Sequence, residues 1–189
     1  IRWNISKSKS MRLFYRSGTQ EPSVNQLQSV VDNTNTLSLT SGNPNLDQST
    51  SHRLFMRYSL IDSKTGSNFF IGGGGSATQN YIGNQVIYSR VDTTISGYGV
   101  LPAGAQYSYP INLDGYYNGR GFLSYGLPVY VIKSNVNFNL NASYTSAPSR
   151  INQQINNSKT ANYGGGVTIS SNFSQNLDFT LSTQLSYSD

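Results

Sequence analysis

The sequence predicts an all-β fold, an antiparallel up-and-down transmembrane β-barrel wall of about seven strands. Three observations predict it. Apolar and polar residues alternate in stretch after stretch, as in SNVNFNLNASY from Ser134 to Tyr144. Successive side chains of a strand point to opposite faces, so such a stretch has one polar and one apolar face. The connections alternate between short turns and long polar segments, an arrangement that up-and-down barrels show and sandwiches do not need. The polar faces are built from Asn, Ser, Thr and Gln, and only 11% of all residues are charged. Ordinary soluble domains carry about 25% and put Lys and Glu on a face that meets bulk water.

Composition narrows the function classes. The chain of 189 residues has no cysteine, which excludes disulfides and thiolate metal sites. Its 13 Lys and Arg against 8 Asp and Glu give a net charge of +5. These cations are scattered; the densest group, Lys7 to Arg16, reads as turn and lumen charge rather than a nucleic-acid surface. No apolar run approaches the ~20 residues of a membrane helix. The chain starts at Ile1 with neither Met nor a signal sequence, so either a leader was removed or these residues come from inside a longer protein.

In chain order, Met11, Leu13 and Tyr15 alternate with Arg12, Phe14 and Arg16 in the first strand. Glu21 to Val31 could form a helical turn or two. His52, Leu54, Met56, Tyr58 and Leu60 alternate with Arg53, Phe55, Arg57 and Ser59 in the second. Phe69, Ile71, Gly73, Gly75 and Ala77 share one face of the third. A long fourth strand runs from Ile111 through Gly115 to Tyr125. Val136 to Tyr144 marks the fifth, Tyr163 to Ile169 the sixth and Leu177 to Tyr187 the seventh. DSKTG (62–66), GLPVY (126–130) and FSQN (173–176) are the short turns, and the long loops lie near 18–50, 90–109 and 147–160. The whole chain, 1–189, reads as one partial barrel segment. A strand of about 11 residues is ~36 Å long and, tilted by ~40°, rises ~27 Å, close to the ~25 Å apolar band of an outer-membrane barrel. Tyr58, Tyr125, Tyr130, Tyr144 and Tyr187 lie near strand ends, as interfacial girdles require. On this reading Arg53, Arg57, Asn135, Asn137, Asn139 and Asn141 face the lumen, where the asparagines bond to neighbouring strands, a plug or water and satisfy one another when a plug moves. The rival at this point is a soluble sandwich whose apolar face meets a core.

The segment from Met11 to Ile61 carries an ordered set of motifs: an aromatic strand, EPSVNQL (21–27), DNTNTL (32–37), GNPNL (42–46), and a strand opening with Ser51 and His52. This set resembles the barrel of TonB-dependent outer-membrane receptors, specifically the outer-membrane β-barrel group common in Bacteroidetes. The later strands match only as generic barrel sequence. The resemblance implies an outer-membrane location and a larger barrel, of which this chain supplies about seven strands. It also implies that 18–50 faces the cell exterior and the short turns face the periplasm. The partners implied are outer-membrane lipid, the plug and remaining strands of the same receptor, a periplasmic energy-coupling protein and a surface lipoprotein. Neither plug nor coupling box is found here, and the chain does not finish on the terminal aromatic usual for such barrels. Gly42, Asn43, Pro44, Asn45 and Leu46 form the candidate motif at the start of the descending strand. Gly42 can take φ > 0, Pro44 pushes Asn43 out of the α region, and the asparagines can bond locally.

Other motifs weigh less. GGGGSA (72–77) lacks the Gly-Lys-Ser/Thr of a phosphate loop and reads as a glycine-rich strand that lets a neighbouring strand, a plug or bulky rings approach. His52 is the single histidine, no two carboxylates are paired for acid/base work, and no GxSxG elbow has a plausible partner. The chain therefore reads as a non-enzyme without cofactor or metal and without a nucleic-acid partner. The leading function is a section of a nutrient-import receptor. The alternatives are a non-transporting outer-membrane barrel for assembly or adhesion, and a secreted glycan-binding β domain.

Overall fold

A computed structural model of the chain describes residues 1–95, 99–174 and 177–189. It is built almost entirely of strands: β1 (Arg2–Asn4), β2 (Lys9–Gln20), β3 (Ser38–Thr40), β4 (Ser49–Ile61), β5 (Asn68–Gln79), β6 (Tyr81–Tyr88), β7 (Thr93–Ile95), β8 (Gly99–Leu101), β9 (Gln106–Leu113), β10 (Tyr116–Val129), β11 (Ser134–Ile151), β12 (Gln154–Ser174) and β13 (Leu177–Ser188). One helical turn, α1 (Val24–Leu27), lies between β2 and β3.

Eight strands form an antiparallel meander, β1-β2-β4-β5-β10-β11-β12-β13, each paired with the next. The seven long ones are those expected from alternation; β1 is a short addition against the start of β2. The sheet is not closed: β1 and β13 each pair on one side only. Cross-strand partners share a face, so the register fixes the faces. One rung reads Met11, Tyr58, Ile71, Leu123, Leu140, Gly165, Leu185. The next, on the other face, reads Arg12, Arg57, Gly72, Phe122, Asn141, Gly164, Ser186. Among the described residues the apolar face of the wall is largely uncovered. Leu140 is 57% exposed and Leu185 80% exposed, values no core residue of a sandwich would show. The buried hydrophobic residues found among the described residues, such as Leu39 and Leu101, all lie in the long connections at one end of the wall.

That end is more ordered than expected. The segment 18–50 is trimmed to 21–48 by β2 and β4 and contains α1 and β3. The segment 90–109 belongs to a longer excursion between β5 and β10, holding β6, the β7–β8 hairpin and β9. β6, β9 and β3 make a small sheet continuous with the wall, joining β11 where Arg150 and Ile151 pair in parallel with Gln85 and Val86. β10 pairs with β11 as far as Ser146 and no further, so β11 is shared between wall and small sheet. Leu39, Leu101 and Ala105 form its core, with Val31, Ile95 and Tyr107 packed around them.

Three expectations are corrected. The long fourth strand does not exist as one piece: β9 ends at Leu113 and β10 starts at Tyr116, with Gly115 at φ +97° between them. The chain turns there, and only glycine adopts that φ without strain. The loop at 147–160 is a tall hairpin. β11 and β12 pair from Ser134↔Ser171 to Ile151↔Gln154, and Asn152 and Gln153 make the tip with φ 45° and 69°. Strands of 18 and 21 residues exceed what the ~25 Å apolar band needs, so their upper parts project beyond it. GLPVY is displaced too: Gly126–Val129 finish β10, and the turn is the 3₁₀ segment Tyr130–Ile132 followed by left-handed Lys133. In FSQN, Phe173 and Ser174 end the β12 backbone, and residues 175–176 lie outside the described residues.

The turn 62–67 is as short as expected and is held by Asp62. One carboxylate oxygen accepts from the Lys64 amide at 2.9 Å and the other from the Thr65 hydroxyl at 2.9 Å. These bonds, the backbone one first, hold the Asp62 carboxyl below its ordinary value of 3.8. A lowered folded-state pKa contributes stability that is present above the unfolded value and lost as pH falls through the folded one. Exchange protection of the Lys64 amide, corrected for intrinsic rate, is therefore expected to hold at neutral pH and to fall only below pH 3.8. A decline already complete at about pH 6 would contradict this role for the carboxylate.

Candidate functional site: the polar face and the loop brace

The polar face places the expected lumen residues together. Arg53 and Arg57 project from β4, opposite Arg16 and Arg12 of β2. Asn135, Asn137, Asn139 and Asn141 project from β11 on the same face. Among the described residues these four asparagines make no hydrogen bond to one another. Their backbone spacing of ~6.6 Å along one strand is too long for an amide pair to be obligatory, and the neighbours across the strand are often glycines. Asn137 lies over Gly126 beside the Asn68 amide, and Asn141 lies over Gly164. Asn139 and Asn141 are exposed, free to meet water or a lumen occupant.

The same face carries aromatic side chains, of which Phe14 and Phe55 alternate in phase with the arginines in the sequence. Phe14 sits opposite Phe55, and Phe70 and Phe122 extend the set across β5 and β10. Phe55 stacks on Phe122 with ring centroids 6.3 Å apart and an interplanar angle of 16°. The glycines of GGGGSA make this possible. Gly72 and Gly74 lie on the polar face between those two strands, and a Cβ on Gly72 would stand 2.7 Å from the Phe122 ring. A Cβ on Gly74 would stand 3.0 Å from the Phe55 ring. Rings therefore rest on bare backbone, one of the uses of a strand glycine expected above. The Arg57 guanidinium lies 4.7 Å over the Phe70 ring, a cation–π contact. Its Nε is shielded from solvent and has no hydrogen-bond partner.

The loop motifs build a brace. Ser23 caps α1: its hydroxyl accepts from the Gln26 amide at 3.4 Å, and the Gln26 side chain accepts from the Ser23 amide at 2.9 Å. This reciprocal pair satisfies two helix-end donors. In DNTNTL, Asp32 accepts from the Thr34 amide at 3.0 Å and Asn35 from the Leu37 amide at 3.0 Å, two local side-chain turns. In GNPNL, Asn43 accepts from the Asn45 amide at 3.0 Å and donates to the Pro110 carbonyl at 3.1 Å, which ties the loop to β9. The Gly42 amide donates to Gln28 at 2.8 Å and the Asn43 amide to Gln26 at 2.6 Å. Pro44 follows in the bend, and Leu46 is buried at its end. Gly42 shows no left-handed φ; it is required by crowding. A Cβ there would meet the carbonyl oxygens of Gln28, Gln26 and Asn25, the last two at 2.6 and 2.7 Å. Gly42→Ala is expected to cost about 1–3 kcal/mol locally and to raise proteolysis of 21–48 in the folded protein. Unchanged cleavage would show that the brace is not closed by Gly42.

The remaining chemistry of the site is that of arginine, amide and aromatic groups; among the described residues no three His, Asp or Glu side chains gather. Comparison with protein families finds that the model of the "Outer membrane protein beta-barrel family" matches residues 1–189. Comparison with curated proteins and with solved structures found no match.

Proposed function

The chain belongs to the outer membrane protein beta-barrel family and is an outer-membrane protein, and on that premise we propose that it is a wall section of a larger receptor barrel for TonB-dependent nutrient uptake. The open sheet carries this reading. β1 and β13 each have one unpaired edge, and unsatisfied strand edges do not stand in lipid. On this reading strands of the larger receptor barrel cover both edges; direct pairing of β1 with β13 would instead close a small barrel of the non-transporting kind. The polar face then lines a lumen wide enough for a plug, held against neutral amides and arginines. The small sheet of β3, β9 and β6 and the β11–β12 hairpin rise on the exterior side, where a nutrient or a surface lipoprotein would be met. The turns at 5–8, 62–67 and 130–133 face the periplasm.

Binding of the full-length protein to the periplasmic domain of the energy-coupling protein tests the transport assignment. A saturable complex is expected. No complex, with normal insertion in the outer membrane, would favour the non-transporting barrel. Orientation is tested by proteolysis of intact cells, in which cleavage at the tip of the β11–β12 hairpin or within 21–48 is expected. Cleavage confined to 62–67 would invert the topology.

A further inference from the structure

The polar face has an order that a solvated wall does not require. Arg12 lies opposite Arg57, Phe14 opposite Phe55, and Arg16 opposite Arg53. Basic, aromatic and basic rungs follow one another along β2 and β4, the basic rungs ~13 Å apart. Arg120 joins the aromatic rung from β10, across Gly74. Like charges placed directly opposite destabilise a sheet. No Asp or Glu occurs in β2, β4, β5, β10, β11 or β12 to offset them. The wall thus concentrates cations on one face and leaves their counter-charge to something else.

A recess of about 690 Å³ lies on this face. Phe14 and Phe55 border it on one side, Arg120 and Ser143 on the other, with Gly74 beneath and Arg53 at one end. Both Arg53 and Arg120 are exposed. The volume falls within the range of about 300–1,000 Å³ that small-molecule sites occupy. We infer that this recess binds an anionic solute that carries two or more carboxylate or phosphate groups and a flat apolar part. Arg53 and Arg120 take the anionic groups, for which the guanidinium fork is suited, and the flat part lies against Phe55. Carboxylates could also come from a polypeptide segment inside the barrel. The solute is favoured because the cations and the ring converge on one ligand-sized recess. The inference rests on the proposed aqueous lumen.

Calorimetric titration of the detergent-solubilised full-length protein with trimesate, at constant ionic strength, tests it. Saturable binding is expected. Arg53→Gln and Arg120→Gln should each weaken it about tenfold. Phe55→Ala should weaken trimesate but not citrate, which has no flat ring. Lys159→Gln, on the projecting hairpin, should change nothing. Absence of saturable binding, or equal binding by the Arg53→Gln/Arg120→Gln double variant, would overturn the inference. So would a double variant that loses heat-modifiable gel mobility while its folded fraction binds trimesate normally, because the arginines would then serve an internal polypeptide contact. Reaction of Asn139→Cys with a charged thiol reagent reports separately whether this face is wet, so a dry face and an unoccupied recess give different results.

Discussion

Phe138→Arg is expected to abolish most assembly of the barrel, and Asn139→Arg, one residue along the same strand, to leave it nearly intact. Phe138 pairs with Tyr125 and Val167 on the apolar face and is 42% exposed, so little of this chain covers it. In the outer membrane that face meets lipid, where Arg at mid-depth costs roughly 2–4 kcal/mol. Asn139 lies opposite Ser124 and Gly166 on the polar face and is exposed. Asn139 is the better control than Asn137, whose amide already sits over Gly126. Heat-modifiable gel mobility of each variant in outer-membrane fractions measures the outcome. Equal loss for both would mean that both faces are close-packed.

The second large effect is expected at the glycine floor. Gly74→Val should strongly reduce folded protein, and Gly121→Ala should not. A Cβ on Gly74 meets the Leu54 carbonyl oxygen and stands 2.8 Å from the Phe55 Cα, backbone atoms that cannot rotate away. Overpacking of a fitted site costs about 1–3 kcal/mol, and the larger branched side chain also displaces the Phe55 ring from its stack on Phe122. Gly121 lies on the other face, and its nearest neighbour would be the Gly72 carbonyl oxygen at 3.7 Å, an ordinary contact. Its substitution should stay within about 0.5 kcal/mol. Urea unfolding in detergent compares the two; similar midpoints would show that the floor is not closely packed.

The wall was legible in the sequence because lipid and water impose opposite demands on alternate residues. Met11, Tyr58, Ile71, Leu123 and Leu140 are put on one face by that rule, and the strand register brings them to one rung. The rule fails above the apolar band, where both faces are wet. Residues 147–160 are mostly Ser, Asn, Gln, Arg, Lys and Thr with few apolar interruptions, so a hairpin there has the composition of a loop. Its left-handed tip is Asn152–Gln153, without the glycine that would have announced it. The break at Gly115 was hidden for the opposite reason: Ile111, Leu113, Gly115 and Tyr117 stay in phase across it. β6 passed unnoticed because Tyr81–Tyr88 is short and packs on both sides within the small sheet.

At the candidate site the arginines and asparagines could be placed by phase. Phe14, Phe55 and Phe122 share that phase, but an apolar residue on a polar face offers no reason for being there until Gly72 and Gly74 are seen between them. The signal was present as glycines two residues apart, in phase with the arginines. The loop brace was half legible. GNPNL reads as a bend, yet its tie to Pro110 joins residues 67 apart in sequence, which no local rule supplies.

Adjacent cysteines on β11 test most directly whether the polar face is the wet one. Asn139→Cys and Leu140→Cys are made singly in the full-length protein, which is reconstituted in lipid vesicles and treated with a charged, membrane-impermeant thiol reagent. Labelling of Asn139→Cys and protection of Leu140→Cys is the expected result. Labelling of Leu140→Cys with protection of Asn139→Cys would contradict it, because the apolar face would then meet water.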